Sequence, residues 1–293
     1  MITGIDHPVI VVRSLDDAVD LYRDLGFTVE FGGSHTGKGT RNALVRFPDG
    51  YLEILEVSDV TEAMAAGAGR PQMVAYLESV ESGIASFALA SDSLEDDVRR
   101  IRAAGMDAPD PWASSRTEPD GTVVGWKMCV PLPVVRQPWP FLIEWDPGPR
   151  PTAEAAHPNG ATGIAAVAVA VPDLEAAVVG YEQLVGSAAG PAEAIAGLDA
   201  FGRTVAVGPH EVILVAPRIP GSGPVGELLA AEGPGPFRIV VSLSDPAGIE
   251  RRATALGRRL EPAWPAGRSL PGAPAAAMIA FALAVRAPPD DPG

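Results

Sequence analysis

The sequence predicts an α+β fold made of four βαβββ modules. Residues 3–57 read as a β-branched strand, an amphipathic helix and three further short strands. The strand and helix, closed by a glycine at nearly the same spacing, return at residues 83–105 and 163–186, and more weakly at 237–257. Curved sheets built from such units hold ligands on their concave sides. Pairs of modules are therefore predicted to enclose cups.

The first module shows the local signals most clearly. Residues 5–12, IDHPVIVV, are rich in β-branched side chains, and Ser14 is placed to cap the next helix through Asp17. Three short strands follow, FTVEF, NALVRF and YLEILEV. The glycine-rich segment 32–40 and the Pro-Asp-Gly turn 48–50 join them.

Domain boundaries follow from the repeat and from a stretch rich in Pro, Gly and Ala between the second and third modules. We expect an N-terminal domain over residues 1–150 and a linker over 151–160. A degenerate C-terminal domain is expected over 161–286, followed by a disordered tail over 287–293. The halves are therefore interpreted as a duplication.

The amino-acid composition favours some kinds of binding partner over others. The formal charge of −15 opposes the phosphates of nucleic acids and the anionic surface of membranes, so we expect neither partner. Apolar stretches stay well below the roughly 20 residues that cross a bilayer. The single Cys129 excludes an internal disulfide, and no secretory signal is visible, so a cytoplasmic location is expected. A small molecule is the favoured partner.

Several motifs together resemble the glyoxalase-like domain proteins of the vicinal oxygen chelate superfamily. They are GIDHPVIVV with SLDDAVDLYRDLGF, GGSHTGKGTRNAL with YLEIL, SSRTEPDGTVVGWKM ending in PFLIEWD, and the dipeptide His157-Pro158. These motifs cover residues 3–158, whereas 162–285 follow the repeat outline alone. The resemblance implies two glyoxalase/dioxygenase-like half-barrel domains.

The resemblance also implies a metal at the bottom of a cup, with one ligand from the first and one from the fourth strand of each module. The corresponding positions are His7, Glu53, Ser86 and Glu144, and His7, Glu53 and Glu144 are the predicted metal ligands. One imidazole and two carboxylates suit Mn²⁺, Fe²⁺ or Mg²⁺, or Zn²⁺ with extra water. The alternative is that His7 is a core histidine, Glu53 pairs with an arginine and Glu144 faces water.

Further candidates surround these positions. His35, in the glycine-rich segment, is a predicted proton-transfer residue, and Glu144 either ligates the metal or moves the proton. The glycines of this segment leave its backbone N–H groups able to turn toward a ligand. The predicted substrate-binding residues are Thr40, Asn42, Arg116 and Trp126.

In the second half, the positions that correspond to the metal ligands fall near Ala166, Ile213 and Arg238, which do not form a metal-binding pair. We expect no metal there, and three roles stay open for its cup: ligand binding, stabilisation of the first half, and formation of a homodimer. His210, in a turn of this half, is expected on the surface.

Two functions of different classes remain. The favoured one is a glyoxalase-like enzyme acting on a small oxygen-rich molecule by isomerase, lyase or dioxygenase chemistry, with a divalent metal in the first cup. The other is a metal-free protein that sequesters an antibiotic or another small molecule without catalysis. Shared fold cannot decide between them.

Overall fold

The computed structural model describes most of the chain: residues 1–67, 69–117, 123–131, 135–147, 156–244, 246–255, 261–263, 267–269 and 279–282. The predicted tail, 287–293, lies outside these ranges. Within the described residues, no helix combines the length and the apolar character needed to span a membrane.

The first half of the chain forms an eight-stranded sheet with strand order β2-β3-β4-β1-β5-β8-β7-β6. Its first module comprises β1 (Ile2–Val12), α1 (Leu15–Asp24), β2 (Glu30–His35), β3 (Thr40–Arg46) and β4 (Tyr51–Val57). Two helices, α2 (Val60–Ala66) and α3 (Arg70–Ser79), lead to the second module. That module comprises β5 (Ser82–Ser91), α4 (Leu94–Ala103), β6 (Trp112–Thr117), β7 (Val123–Cys129) and β8 (Phe141–Trp145).

The second half repeats this topology in a second eight-stranded sheet, ordered β10-β11-β12-β9-β13-β16-β15-β14. The third module comprises β9 (Ala161–Ala170), α5 (Leu174–Val185), β10 (Glu193–Ile195), β11 (Ala200–Val207) and β12 (His210–Pro217). Helix α6 (Gly223–Glu232) leads to β13 (Gly235–Leu243), α7 (Pro246–Ala255), β14 (Glu261–Ala263), β15 (Gly267–Ser269) and β16 (Ile279–Ala282). The predicted α+β fold of four βαβββ modules is confirmed.

Local chemistry explains why the modules form. Ser14 caps α1 by accepting a hydrogen bond from the Asp17 N–H at 3.3 Å, as the sequence predicts. In the middle of each sheet, the first strands of the paired modules run antiparallel, β1 against β5 and β9 against β13. Burial of one helix face and one sheet face then produces a single core that includes residues of both halves.

Two buried histidines join the halves. His157 accepts a hydrogen bond from the Thr28 N–H at its Nδ1, 3.0 Å, and donates from Nε2 to the Arg46 carbonyl, 2.9 Å. His210 accepts from the Ile5 N–H at its Nδ1, 2.9 Å. The expectation of a surface position for His210 is wrong, because its side chain is 4% exposed and packs against Gly4 of β1.

The state of His157 predicts a pH dependence of stability. Burial lowers the pKa of His157 below its ordinary value of 6.5, and its backbone contact with Arg46 opposes this in part. A histidine whose pKa is lowered in the folded state stabilises the fold fully above about pH 6.5, and this contribution is lost as the pH falls from there through the folded-state pKa. Urea unfolding of the wild type between pH 8 and pH 5 should show this loss.

The matched variant is His157→Asn, whose side-chain oxygen can still accept from Thr28 and does not titrate. We expect it to be less stable than the wild type at pH 8 and to lose less free energy of unfolding on acidification. The difference in slope should approach about 1.4 kcal/mol per pH unit for one proton. If the free energy of unfolding changes equally with pH in the two proteins, the imidazole of His157 does not cause the loss of stability on acidification.

Candidate functional site

A cavity of about 300 Å³ opens on the concave face of the first sheet. Its walls come from both modules of that half: β1, β4, β5 and β8 form the floor, and the β2–β3 turn, α3, β6 and β7 form the sides. Because successive side chains of a strand point to opposite faces, alternate residues of the floor strands enter the cavity. Val9, Leu55, Phe141 and Ile143 belong to the hydrophobic cluster on this face.

His7 lies in this cavity with an ordered ring. Its Nδ1 is 2.6 Å from Oδ1 of Asp6, and both side chains are buried. Since an ionised carboxylate only accepts hydrogen bonds, a neutral His7 ring in this contact carries its proton on Nδ1 and has its lone pair on Nε2. The ring stacks on Tyr51, with 4.3 Å between centroids and 11° between planes.

A bulge in β1 makes the contact between these two neighbours. In a regular strand, Asp6 and His7 would point to opposite faces. The pairing of β1 with β5 shifts register between Ile5 and His7, and such a bulge re-aims side chains. Asp6 Oδ2 also accepts a hydrogen bond from the Trp145 indole at 2.8 Å, so that carboxylate is held from two sides.

Glu53 lies opposite His7, with 3.8 Å between its Oε2 and His7 Nε2. Its other oxygen, Oε1, accepts a hydrogen bond from the Asn42 side-chain amide at 2.6 Å. Asn42 is 1% exposed, and Gly32 makes room for it, since a Cβ at Gly32 would lie 2.2 Å from Asn42 Oδ1. Asn42 therefore positions Glu53 and is not among the residues lining the cavity.

His35 and Thr40 line the same cavity from the β2–β3 hairpin, with His35 Nδ1 and Thr40 Oγ1 2.8 Å apart. The turn between them does not offer its N–H groups to the cavity as the glycines suggested. The N–H groups of Gly37 and Gly39 donate to the Glu62 carboxylate, at 2.7 and 2.9 Å. Both glycines have positive φ, so the turn requires them for its backbone conformation.

Two cations that the sequence analysis did not single out also line the cavity. Lys38 comes from the β2–β3 turn and Arg70 from the first residue of α3. Burial and then the positive charge of Arg70 lower the pKa of Lys38, while Glu53 acts in the opposite direction. Burial lowers the pKa of Arg70 as well, again against the effect of Glu53. Glu53 is therefore a neighbouring carboxylate of both cations.

Aromatic side chains form the wall contributed by the second module. Trp112, Trp126, Phe141 and Trp145 line the cavity, and the rings of Trp126 and Trp145 lie 5.3 Å apart at 54°. The indole nitrogen of Trp126 is buried and has no hydrogen-bond partner among the described residues. This wall offers flat apolar surface together with one buried donor.

Glu144 is not in the site, and its predicted place beside His7 and Glu53 is wrong. Its Oε2 accepts a hydrogen bond at 2.6 Å from the N–H of Leu94, the first residue of α4. Its neighbours Ile143 and Trp145 line the cavity, so Glu144 points to the opposite face of β8.

Strand pairing identifies the residue that occupies the fourth ligand position. In the first module, the ligand position on the fourth strand, Glu53, pairs with Val9, which lies two residues after the ligand position on the first strand, His7. In the second module, the residue two positions after Ser86 is Ala88, and it pairs with Phe141. The sequence match was therefore displaced by three residues, an odd number that reverses the face of the strand.

The donor set does not fit the metal site that the resemblance implies. The four positions hold His7, Glu53, Ser86 and Phe141, of which two are ordinary metal ligands. Within the described part of the chain, no three His, Cys, Asp or Glu side chains are grouped as a metal site. Lys38 and Arg70 already bring positive charge to Glu53, which disfavours a dication there.

Most of the predicted site residues share one cavity. His7, His35, Thr40, Glu53, Ser86 and Trp126 line one cavity. The side chain of Arg116 lies outside the described part of the structure, although its backbone belongs to β6.

In the second sheet, the same pairing rule gives Ala166, Ile213, Arg238 and Ala280 at the corresponding positions. The first three match the sequence prediction. Ala166 and Ile213 are buried in a hydrophobic cluster of this half, and burial lowers the pKa of Arg238.

The fold and the cavity define a protein of the vicinal oxygen chelate superfamily, with paired βαβββ modules around a ligand-sized hollow. A family model described as "Glyoxalase-like domain" (Glyoxalase_3) matches residues 5–185. The chain belongs to this glyoxalase-like family. The match continues from the first sheet through β9 and α5 of the second.

Solved structures share the fold at low identity. A hypothetical protein from Staphylococcus aureus is similar with TM-score 0.62 and 13% identity, over 94% of this chain and 98% of that one. A mutant 4-hydroxymandelate synthase from Streptomyces coelicolor gives 0.62 and 18%, over 89% and 77%. A Mn(II)-bound glyoxalase from Novosphingobium aromaticivorans gives 0.58 and 12%, over 96% and 81%. A search of curated protein sequences found no match.

The position of Glu144 predicts a role in stability. Replacing it by Gln keeps an oxygen for the Leu94 N–H but removes the negative charge from the N-terminus of α4. The free energy of unfolding should fall by about 0.3–1 kcal/mol, the usual contribution of a charge at a helix end. Urea unfolding checks this value. Loss of ligand binding in Glu144→Gln with unchanged stability would contradict this role and show that Glu144 belongs to the site.

Proposed function

We propose that this protein is a glyoxalase-like enzyme that moves a proton on a small molecule bound in the first cup, with His7 as the acid–base group. The observation that carries the proposal is the hydrogen bond between His7 Nδ1 and Asp6, which leaves the Nε2 lone pair directed to the Glu53 side of the cavity. Isomerisation and elimination both begin with such a proton transfer.

The proton moves in two steps. His7 Nε2 takes a proton from the substrate and becomes an imidazolium, and later returns it to a different substrate atom. Asp6 keeps the ring in the tautomer that can accept the proton, and its negative charge stabilises the imidazolium. Glu53, 3.8 Å from Nε2, adds a second negative charge beside the same ring.

His35 is proposed as a second proton-transfer group. It lines the cavity, and its Nδ1 contact with the Thr40 hydroxyl orients the ring. An isomerisation that removes a proton at one atom and adds one at another is served by two histidines in one cavity. No step in this proposal passes through a metal, because Ser86 and Phe141 stand where two ligands would be needed.

The cavity limits the substrate to a small molecule with oxygen atoms and an apolar or aromatic part. Its volume of about 300 Å³ lies at the lower end of ordinary ligand pockets. Thr40, Ser86, Ser114 and Ser115 bring hydroxyl groups to the walls, opposite apolar and aromatic surface. This supports the predicted oxygen-rich substrate.

A binding protein without catalysis is the second candidate. Trp112, Trp126 and Trp145 line the cavity together, and such a wall favours tight stacking of a flat ligand. Ser86 and Phe141 at two of the four ligand positions also suit a cup that binds a small molecule without a metal. The two candidates differ in whether His7 exchanges protons with the ligand.

The direct test is carbon-bound hydrogen exchange. Wild-type protein is incubated in D₂O with a panel of small α-hydroxy and α-keto carbonyl compounds, and NMR follows loss of the carbon-bound proton. We expect exchange of at least one compound by the wild type, and a rate about 10²–10⁴-fold lower for His7→Gln, the usual contribution of a general acid–base residue. Glu144→Gln, on the opposite face, should retain the wild-type rate.

Two further outcomes decide between the candidates. Exchange that survives prolonged EDTA treatment supports proton transfer by the side chains, whereas exchange abolished by EDTA and restored by Mn²⁺ contradicts the assignment. Quenching of tryptophan fluorescence by compounds that show no His7-dependent exchange supports the binding protein instead.

A further inference from the structure

We propose that the second half of the chain positions one wall of the first cup, through a cluster formed by Tyr76 on α3, Glu232 at the end of α6 and Arg136 before β8. Of the three roles left open for the second half, this one gives it a defined part in the candidate site. Such a role goes beyond the proposed function, because it applies whether the cup catalyses a reaction or only binds a ligand.

Helix α3 forms part of the wall of the first cup. Arg70, its first residue, and Met73 line the cavity. Met73, Tyr76 and Leu77 are its buried residues, and all three belong to the hydrophobic cluster on the concave face of the first sheet. Because α3 is anchored to this face by three buried side chains, a hydrogen bond to one of them contributes substantially to its position.

Tyr76 extends from this face to the second half of the chain. Its hydroxyl donates a hydrogen bond to Oε2 of Glu232 at 2.6 Å. Gly83 of β5 leaves room for the ring, since a Cβ there would lie 2.0 Å from the hydroxyl oxygen. Burial and then the hydrogen bond to Glu232 raise the pKa of Tyr76 above its ordinary value of 10. The phenol therefore remains a hydrogen-bond donor at neutral pH.

Glu232 is the last residue of α6, whose place is set by the second sheet. Helix α6 packs on β9 and β12, and its Val225 is buried in the hydrophobic cluster of that half. Gly233, with φ of 76°, ends the helix directly after Glu232. The carboxylate that receives the Tyr76 hydroxyl thus stands on the scaffold of the second half.

Arg136 binds the same end of α6. Its Nε lies 3.7 Å from Oε2 of Glu232, and its side chain is 5% exposed. The guanidinium donates to the backbone carbonyls of Glu232 at 3.4 Å, Gly233 at 3.0 Å and Pro236. A cation at the carbonyl groups that end a helix is favourable, so Arg136 stabilises both the end of α6 and the carboxylate beside it.

The segment that carries Arg136 belongs to the first half. The Arg136 N–H donates to the Ala85 carbonyl of β5 at 2.9 Å, and Val135 packs in the same hydrophobic cluster as α3. Arg136 has φ of 55°, which is uncommon for a residue other than glycine. Its contacts with the second half offset this backbone cost. Charge-assisted hydrogen bonds therefore join the two halves beside the first cup.

The test measures how often α3 separates from the cup. Amide hydrogen exchange of the full-length protein under native conditions is followed by mass spectrometry in residues 70–79, with residues 5–12 of β1 as the internal reference. We expect Tyr76→Phe to raise the exchange rate in 70–79 at least about tenfold, the effect of losing a hydrogen bond to a charged group. The rate in 5–12 should not change.

Variants of Glu232 assign the effect to the contact between hydroxyl and carboxylate. Glu232→Gln keeps an oxygen that can accept from Tyr76, so it should raise exchange in 70–79 less than Glu232→Ala does. The double variant Tyr76→Phe, Glu232→Ala should exchange no faster than Glu232→Ala, because the contact is lost only once.

The matched control is Tyr181→Phe. Tyr181 of α5 is also buried, and its hydroxyl donates to the Pro138 carbonyl of the first half. The control therefore removes another hydrogen bond between the halves without touching α3. Exchange in 70–79 should keep the wild-type rate in this variant.

Each outcome decides for or against the positioning role. A local increase in 70–79, smaller in Glu232→Gln than in Glu232→Ala, supports it even if His7→Gln leaves carbon-bound exchange unchanged. Equal rates in wild type and Tyr76→Phe overturn it, even if His7-dependent exchange is observed. An equal increase in 70–79 and 5–12, or the same local increase in Tyr181→Phe, also overturns it. Should Glu232→Ala fail to fold, Tyr76→Phe and Tyr181→Phe decide.

Discussion

The hydrogen bond between Asp6 and His7 is the contact on which the candidate site depends. Adjacent residues of a strand normally face apart, and the bulge between Ile5 and His7 brings the carboxylate to the ring. The bond fixes the tautomer of His7 and, with the stacking of Tyr51, the direction of its Nε2. The Trp145 indole holds the other oxygen of Asp6 and so ties this pair to the aromatic wall of the second module.

The charged side chains of this cup distinguish it from the metal site that its fold suggests. A four-ligand site gathers carboxylates and imidazoles around a dication, whereas this one places two cations, Lys38 and Arg70, beside Glu53. Phe141 contributes an apolar edge to His7, with 5.4 Å between centroids, at the position where a ligand would stand. One scaffold can therefore enclose the same kind of hollow with walls of different chemistry.

Much of the fold was accessible from the sequence because it repeats. The strand–helix–glycine spacing recurs along the chain, so four modules were predicted correctly. His7 and Glu53 were placed in one site because the resemblance implies a ligand on the first and on the fourth strand of each module. Their separation of 3.8 Å agrees with a shared hollow.

The sequence predictions that the structure contradicts, and the site residues that they missed, have physical explanations. Glu144 was misplaced because the β8 segment, WPFLIEWD, is apolar on both faces and gives no alternation to fix its register, so strand pairing alone decides it. His210 was misjudged because contact between the halves is not visible in local pattern. Lys38 and Arg70 were not singled out because a lysine in a glycine-rich turn and an arginine opening a helix are ordinary surface signals. Their place in the cavity depends on how the β2–β3 turn and α3 lie beside the first sheet.

The state of the His7 ring is the most direct measure of the central claim. Nitrogen NMR of protein labelled at histidine distinguishes a protonated ring nitrogen from one that bears a lone pair. When its ring is neutral, His7 should show a protonated Nδ1 and an unprotonated Nε2, and Asp6→Asn should change this pattern because an amide can donate to Nδ1. A wild-type ring with its proton on Nε2, unaffected by Asp6→Asn, would contradict the account.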